Sequence, residues 1–318
     1  MLRYTGLSIV LAIVLLTGFT AVKVMACNNT KTPGAPVNVQ TDSITFAVIG
    51  DYGRDTKQED SVAKMVKSWN PDFIITVGDN NYSTGSAATI KNNIGKYYCD
   101  YIYNPDAKPD WQCNGMAAQQ KQNRFFPAPG NHDNYSVPPL KPYLDYFTLP
   151  GDEMNYDFTW GPVHFYSINT GKEAEINCCN SPESIWLHDA LQKDTKTFKI
   201  VYFHHPPFSG GEHGSSKDMR WPYKEWGVDA VLTGHEHFYA HATVKGSEQP
   251  LYLICGNSGS NEHYPCNEHP LDKSKYDWLC DNVHFGAIKV TVTAHKAVFE
   301  YYAVEAPGAP LDVNVINK

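Results

Sequence analysis

Apolar residues fall in short blocks along the chain, and the spacing inside each block sets the element it predicts. Residues 44–49 (Ile-Thr-Phe-Ala-Val-Ile) and 73–77 (Phe-Ile-Ile-Thr-Val) are near-continuous apolar runs of strand length, the pattern of strands buried on both faces. Between them Val62, Met65, Val66 and Trp69 recur at helical spacing. Similar runs predict strands at 199–203 and 228–232, with a helix at 182–192 ahead of them, and a further apolar run lies at 125–129. Beyond residue 237 the pattern changes, and 251–255, 285–292 and 297–302 read as antiparallel strands with short links. Together these predict an α/β fold in which two packed mixed β-sheets are flanked by helices. That domain spans residues 43–305, and residues 306–318 read as a short Pro/Gly-rich tail.

The first block has a different character. Arg3 precedes a dense apolar run at residues 7–16, and the segment closes with Val24-Met25-Ala26-Cys27. A run this short and this close to the terminus reads as an export signal over residues 1–26 rather than a membrane span. The same four residues match a lipoprotein box, in which Cys27 would carry lipid and tether the protein to a membrane. Residues 27–42 are polar with Pro and Gly and serve as a tether. The expected location is therefore exported: secreted, periplasmic or lipid-anchored on an outer surface. Eight cysteines fit an oxidising compartment. Cys99 with Cys113 and Cys266 with Cys280 are spaced as loop staples, whereas Cys255 lies in an apolar run and reads as a buried thiol. The sequons at Asn81 and Asn134 fall in motif loops and read as chance matches; a third lies at Asn28.

Net charge is -8, which argues against a nucleic-acid grip built on phosphate contacts. An acidic protein that handles phosphate needs positive charge from elsewhere, and bound metal ions supply it. Five apolar runs end in motifs able to ligate them. These are Gly50-Asp51-Tyr52-Gly53, Gly78-Asp79-Asn80-Asn81-Tyr82, Gly130-Asn131-His132-Asp133, Phe203-His204-His205 and Gly234-His235-Glu236-His237. Ligands bind outside the carboxyl ends of strands in open α/β sheets. Asp, Asn, Tyr and His offer oxygen and imidazole donors without thiolate, a mix suited to Fe, Mn, Zn or Mg. His235 and His237 are two residues apart, so on an extended segment both would face one way. The candidate metal ligands are therefore Asp51, Asp79, Tyr82, Asn131, His204, His235 and His237.

In this order the motifs GDYG, GDNNY, GNHD, VYFH and GHEH resemble those of the calcineurin-like metallophosphoesterases, and within them the purple acid phosphatases, nearest the small tartrate-resistant type. The resemblance covers residues 43–303. It implies a four-layer αββα sandwich and a centre of two metal ions. Asp51, Tyr82 and His237 would hold Fe(III). Asn131, His204 and His235 would hold a divalent Fe, Zn or Mn, and Asp79 would bridge the two. It implies catalytic roles for His132, facing the phosphate, and for His213, which precedes Gly214 and would protonate the leaving group. His205, His188, His241, His263, His269 and His284 read as packed or solvent-facing.

The expected function is a dinuclear acid phosphatase acting on small-molecule phosphate monoesters by attack of a metal-bound hydroxide. A phosphodiesterase or nucleotidase with the same centre is the alternative, and a non-enzymatic metal- or phosphate-binding surface protein is the less favoured one. The loops between residues 99 and 122 and between 266 and 280 decide among substrates and are not readable from sequence.

Overall fold

The computed structural model describes residue 34 and residues 36–171, 179–247 and 250–318. The signal-like segment, Cys27, the Asn28 sequon and Cys178 lie outside these described residues. Within them the strands are, in order, β1 (Asn38–Val39), β2 (Ile44–Ile49), β3 (Phe73–Thr76), β4 (Phe125–Pro127), β5 (Tyr156–Trp160), β6 (Val163–Ser167) and β7 (Phe198–Tyr202). Then follow β8 (Ala230–Thr233), β9 (Tyr239–Val244), β10 (Leu251–Cys255), β11 (Tyr276–Asp281), β12 (Gly286–Val292), β13 (Lys296–Ala303) and β14 (Asp312–Asn317).

They form two mixed sheets. One has six strands in the order β14-β13-β12-β2-β3-β4, and the other eight in the order β1-β5-β6-β7-β8-β10-β9-β11. The parallel neighbours are β2-β3-β4, which end the six-stranded sheet at β4, and β6-β7-β8-β10 in the middle of the eight-stranded one. Antiparallel strands complete the opposite edge of the first sheet, at β12-β13-β14, and the β9-β11 edge of the second. The sheets meet through aromatic side chains: Phe46 and Phe73 from the six-stranded sheet lie 5.1 and 5.2 Å from Phe165 of the other, and Phe126 stacks 4.0 Å from Phe158. All five are fully or almost fully buried, so this layer is the core on which the strand ends are fixed. The helix Lys57–Ser68 starts at Thr56, whose hydroxyl accepts from the Glu59 amide at 3.0 Å. It buries Val62, Ala63 and Val66, as the helical spacing requires.

The α/β expectation of two packed sheets holds, and three local expectations change. The segment read as a tail carries β14, an edge strand paired with β13. Its Asp-Val-Asn-Val alternation leaves Val313 and Val315 exposed and presents no apolar run. The tether segment contributes β1, which runs parallel to β5. β10 is antiparallel only to β9; it runs parallel to β8, from which a crossover returns it. The hairpin β5–β6 had no counterpart in the sequence reading.

Cys99–Cys113 and Cys266–Cys280 are disulfides, each closing a separation of 14 residues, and Cys255 is a buried thiol. Asn81 and Asn134 are buried and hydrogen-bonded, which removes both as glycan acceptors. No helix among the described residues is long and apolar enough to cross a membrane.

Candidate metal centre

All seven candidate ligands lie just beyond strand ends: Asp51 after β2, Asp79 and Tyr82 after β3, Asn131 after β4, His204 after β7, and His235 and His237 after β8. Three of them, Asp51, Asp79 and His235, adopt positive φ of 51°, 52° and 71°. This left-handed backbone costs a non-glycine residue of order 1 kcal/mol or more and clusters at functional sites. It turns each side chain sharply off the strand axis toward a common point. Two glycines leave the space: a Cβ on Gly78 (φ 96°) would stand 2.5 Å from His204 Nδ1, and one on Gly234 would stand 2.5 Å from Asp51 Oδ2.

The donors gather in two groups. Tyr82 Oη lies 3.1 Å from Asp51 Oδ1 and 3.0 Å from His237 Nε2. His204 Nε2 lies 3.0 Å from Asn131 Oδ1, 3.2 Å from His235 Nδ1 and 3.3 Å from Asp79 Oδ2. The groups adjoin, since His204 Nε2 is 4.0 Å from Asp51 Oδ1. Atoms of Asp51, Asp79 and His204 all fall within 4.8 Å of one another, and all three residues are buried. His235 and His237 thus serve different groups, and they do so from a turn rather than from the extended segment expected.

Outer contacts fix each donor. Asp51 Oδ2 accepts the His235 amide at 2.9 Å and Asp79 Oδ1 accepts the His132 amide at 2.8 Å, leaving one oxygen of each carboxylate for the centre. Ser260 Oγ holds His237 Nδ1 at 3.0 Å. His204 Nδ1 lies 2.9 Å from the Val77 carbonyl. A carbonyl can only accept, so Nδ1 carries the proton and Nε2 of the neutral ring presents its lone pair to two acceptor oxygens, Asn131 Oδ1 and Asp79 Oδ2. That arrangement favours a positive charge there, either a second proton on His204 or a cation. Burial opposes charge on His204, yet attraction to Asp79 and Asp51 raises it to about 9. Burial would also lift Asp79, but His204 holds it below the ordinary carboxylate range. Burial drives His235 well below its usual value, with His204 repelling its charge, and drives His237 down to about 3, so both rings are neutral donors. Burial pushes Asp51 and the Tyr82 phenol up. A cation between the groups would reverse these last two shifts, as metal charge dominates its site. The donor set therefore fits metal ions.

The centre opens into a cleft of about 530 Å³ lined by Asn131, His132, Tyr135, His205, His213 and His235, among others. His132 packs 4.4 Å from the Tyr82 ring, with Nε2 3.9 Å from Asp79 Oδ2. The His213 ring lies 4.2 Å from that of His235, tilted by 40°. Its hydrogen bond to Glu236 raises its pKa, against partial burial. Both residues expected to be catalytic therefore flank the candidate centre.

His205, read as packed or solvent-facing, lines the cleft with Nδ1 2.8 Å from Thr170 Oγ1. The sequence reading missed two residues here. Glu236, fully buried between two ligand histidines, receives Ser209 Oγ at 2.8 Å and the amides of His213 and Gly214 at 3.2 and 3.0 Å. It fastens the His213 loop over the site. Asp133 of the GNHD motif joins two motif loops by accepting the amides of Asn80 and Gly130 at 3.1 and 2.9 Å. The signal available for both was a charged residue set inside a ligand motif.

Known acid phosphatases are similar to this chain. Purple acid phosphatase 7 of Arabidopsis thaliana is 24% identical over 302 aligned residues, covering 85% of this chain and 85% of that protein. Tartrate-resistant acid phosphatase type 5 of Homo sapiens is 23% identical over 230 residues, 62% of this chain and 68% of its own. Among solved structures, purple acid phosphatase PPD1 of yellow lupin (Lupinus luteus) superposes with a TM-score of 0.64 at 13% identity over 90% of this chain. It covers 55% of the lupin chain, so this protein spans about half that length. GAP50, the anchor in the inner membrane complex of Plasmodium, superposes with a TM-score of 0.60 at 18% identity, covering 87% of this chain and 89% of its own. At such identities the structural likeness is one of fold. The sequence model of the calcineurin-like phosphoesterase family matches residues 44–239, more than half of the chain, and the chain belongs to that family.

Proposed function

We propose that the protein is an acid phosphatase that hydrolyses small phosphate monoesters at a dinuclear metal centre. The observation that carries the proposal is the convergence of seven donors in two adjoining groups around His204 Nε2 and Tyr82 Oη. In this reading Asp51, Tyr82 and His237 hold Fe(III), Asn131, His204 and His235 hold a divalent Fe, Zn or Mn, and Asp79 reaches both. Two cations in such a site neutralise a phosphate dianion and lower the pKa of water into the range where it can serve as nucleophile.

The chain's own residues would do the rest. Asn131 and His132 meet the phosphate at the inner end of the cleft. His213, poised at the rim with its Nδ1 3.4 Å from Glu236 Oε2, keeps its other nitrogen to protonate the departing alkoxide. The ring contact with His235 and the Glu236 contacts hold it in one orientation. Cleft walls formed by Tyr135, His205 and Thr170 would exclude water from the leaving-group side. Two disulfides support an oxidising, extracytosolic setting.

Purified protein tested by metal analysis, visible spectroscopy and p-nitrophenyl phosphate hydrolysis decides the matter. Expected are close to two metals per chain, a phenolate-to-iron absorption band that Tyr82→Phe abolishes, and turnover at acidic pH. A metal-replete protein with no monoesterase activity would overturn the proposal. A preference for bis-p-nitrophenyl phosphate would favour the phosphodiesterase alternative.

A further inference from the structure

Two side chains pack on the Tyr82 ring. His132 packs against the ring, and the Arg54 guanidinium lies 4.3 Å from the ring centroid. A cation over an aromatic face is attracted by its π electrons, and the attraction grows when the phenol becomes a phenolate. Arg54 belongs to a rigid turn: its amide donates to Glu59 Oε2 at 3.1 Å and to the Tyr52 carbonyl at 2.8 Å. That buried carboxylate fixes the backbone whatever the side chain is. The guanidinium faces a separate cavity of about 360 Å³, shared with Thr56, Ser83, Asn93 and Asn261, and is not among the residues of the substrate cleft. Its one ion-pair partner among the described residues is Glu262, at 3.8 Å, and both side chains are partly exposed. Arg54 thus brings a poorly compensated positive charge to Tyr82 from the side away from the substrate.

We infer that Arg54 is a positioning residue that tunes the Tyr82 phenolate, setting the energy of its charge transfer to iron and the reduction potential of that metal position. The inference rests on the proposed Fe(III)–Tyr82 reading. A positive charge over the ring lowers the phenolate's π electrons, so more energy is needed to move one to the metal. The same charge favours the reduced over the oxidised ion. Because the ring is the nearer partner, the first effect governs the band position. The charge does not touch substrate, so binding is unaffected.

The test compares iron-loaded wild type, Arg54→Gln and Glu262→Gln at equal iron content. Arg54→Gln is expected to move the band to longer wavelength, on the order of tens of nanometres, and to lower the midpoint potential in a redox titration. Glu262→Gln, which leaves Arg54 less compensated, is expected to shift the band the opposite way by less. KM for p-nitrophenyl phosphate should stay within about twofold in both. A coloured wild type whose band does not move in Arg54→Gln overturns the inference alone, as does an unmoved band with a raised KM, which would make Arg54 a substrate contact. A wild type without the band at full iron content overturns the ferric–phenolate reading and the inference with it.

Discussion

At the scale of single residues, the centre divides into donors that would touch metal and groups that would touch substrate, and the two make different predictions. Asn131→Ala or His235→Ala should lower metal content and turnover together. Asn131 opens a one-turn helix and His235 stands on a bend, both beyond strand ends, so the far-ultraviolet circular dichroism should be unchanged; near-normal activity with either change would contradict a ligand role. His213→Ala should leave metal content intact and cost roughly 10²-fold in kcat with alkyl phosphates, the range of general acid catalysis. With p-nitrophenyl phosphate, whose leaving group needs little protonation, the loss should be far smaller. Equal losses would point to binding instead. The seven candidate ligands were legible because each is a metal-capable side chain placed shortly after an apolar run, in five motifs that follow one another in order. Glu236 was not legible: in the sequence it is one more surface-type charge, and its burial depends on the Ser209–Gly214 loop folding over it from some 25 positions away.

At the scale of elements, the buried parallel strands announced themselves by composition, whereas strands with one wet face did not. β14 alternates Asp, Val, Asn and Val, and Val313 and Val315 remain exposed, so no apolar block marks it. The hairpin β5–β6 buries Tyr156, Phe158, Trp160, Val163 and Phe165 and alternates them with Asp157, Thr159 and His164, a period-2 signal that a search for continuous apolar runs passes over. One of those polar residues makes a testable clasp. His164 Nε2 lies 3.0 Å from Asp157 Oδ1 on β5, and Nδ1 lies 3.2 Å from Asp194 Oδ1 at the end of the helix Pro182–Lys193. Burial opposes charge on His164, but the hydrogen bonds to Asp157 and Asp194 outweigh it and raise its pKa, while the same contacts hold Asp194 low despite its burial. A raised histidine stabilises the fold below its unfolded value near 6.5 and stops doing so as pH rises through its folded value. A lowered carboxylate stabilises it above an unfolded value near 3.9. The clasp therefore works from about pH 4 into the neutral range. His164→Gln should lower Tm more at pH 5.5 than at pH 8.5, and an equal loss at both would show that packing, not charge, is what the residue supplies.

At the scale of the whole molecule, the candidate ligands come from both sheets: β2, β3 and β4 of one, β7 and β8 of the other. Metal held there would bind only the folded arrangement, and a ligand present at 100 times its Kd adds about 2.7 kcal/mol to stability. Removing metal with a chelator should therefore lower Tm by several degrees, and adding back iron or zinc should restore it; a chelator-insensitive Tm alongside measured metal loss would mean that the sheets hold their register unaided. The spread of the ligands also sets an order of events. Asp51 is made early and His237 late, and the chain between them must fold and bring its two sheets together before either group is complete. A nascent or unfolded chain can offer a passing ion only fragments of the site, such as a lone Asp-Tyr or His-Glu-His. Any metal this centre holds would therefore be loaded late, onto a chain whose two sheets have already met, and drawn from the supply available where that fold is completed.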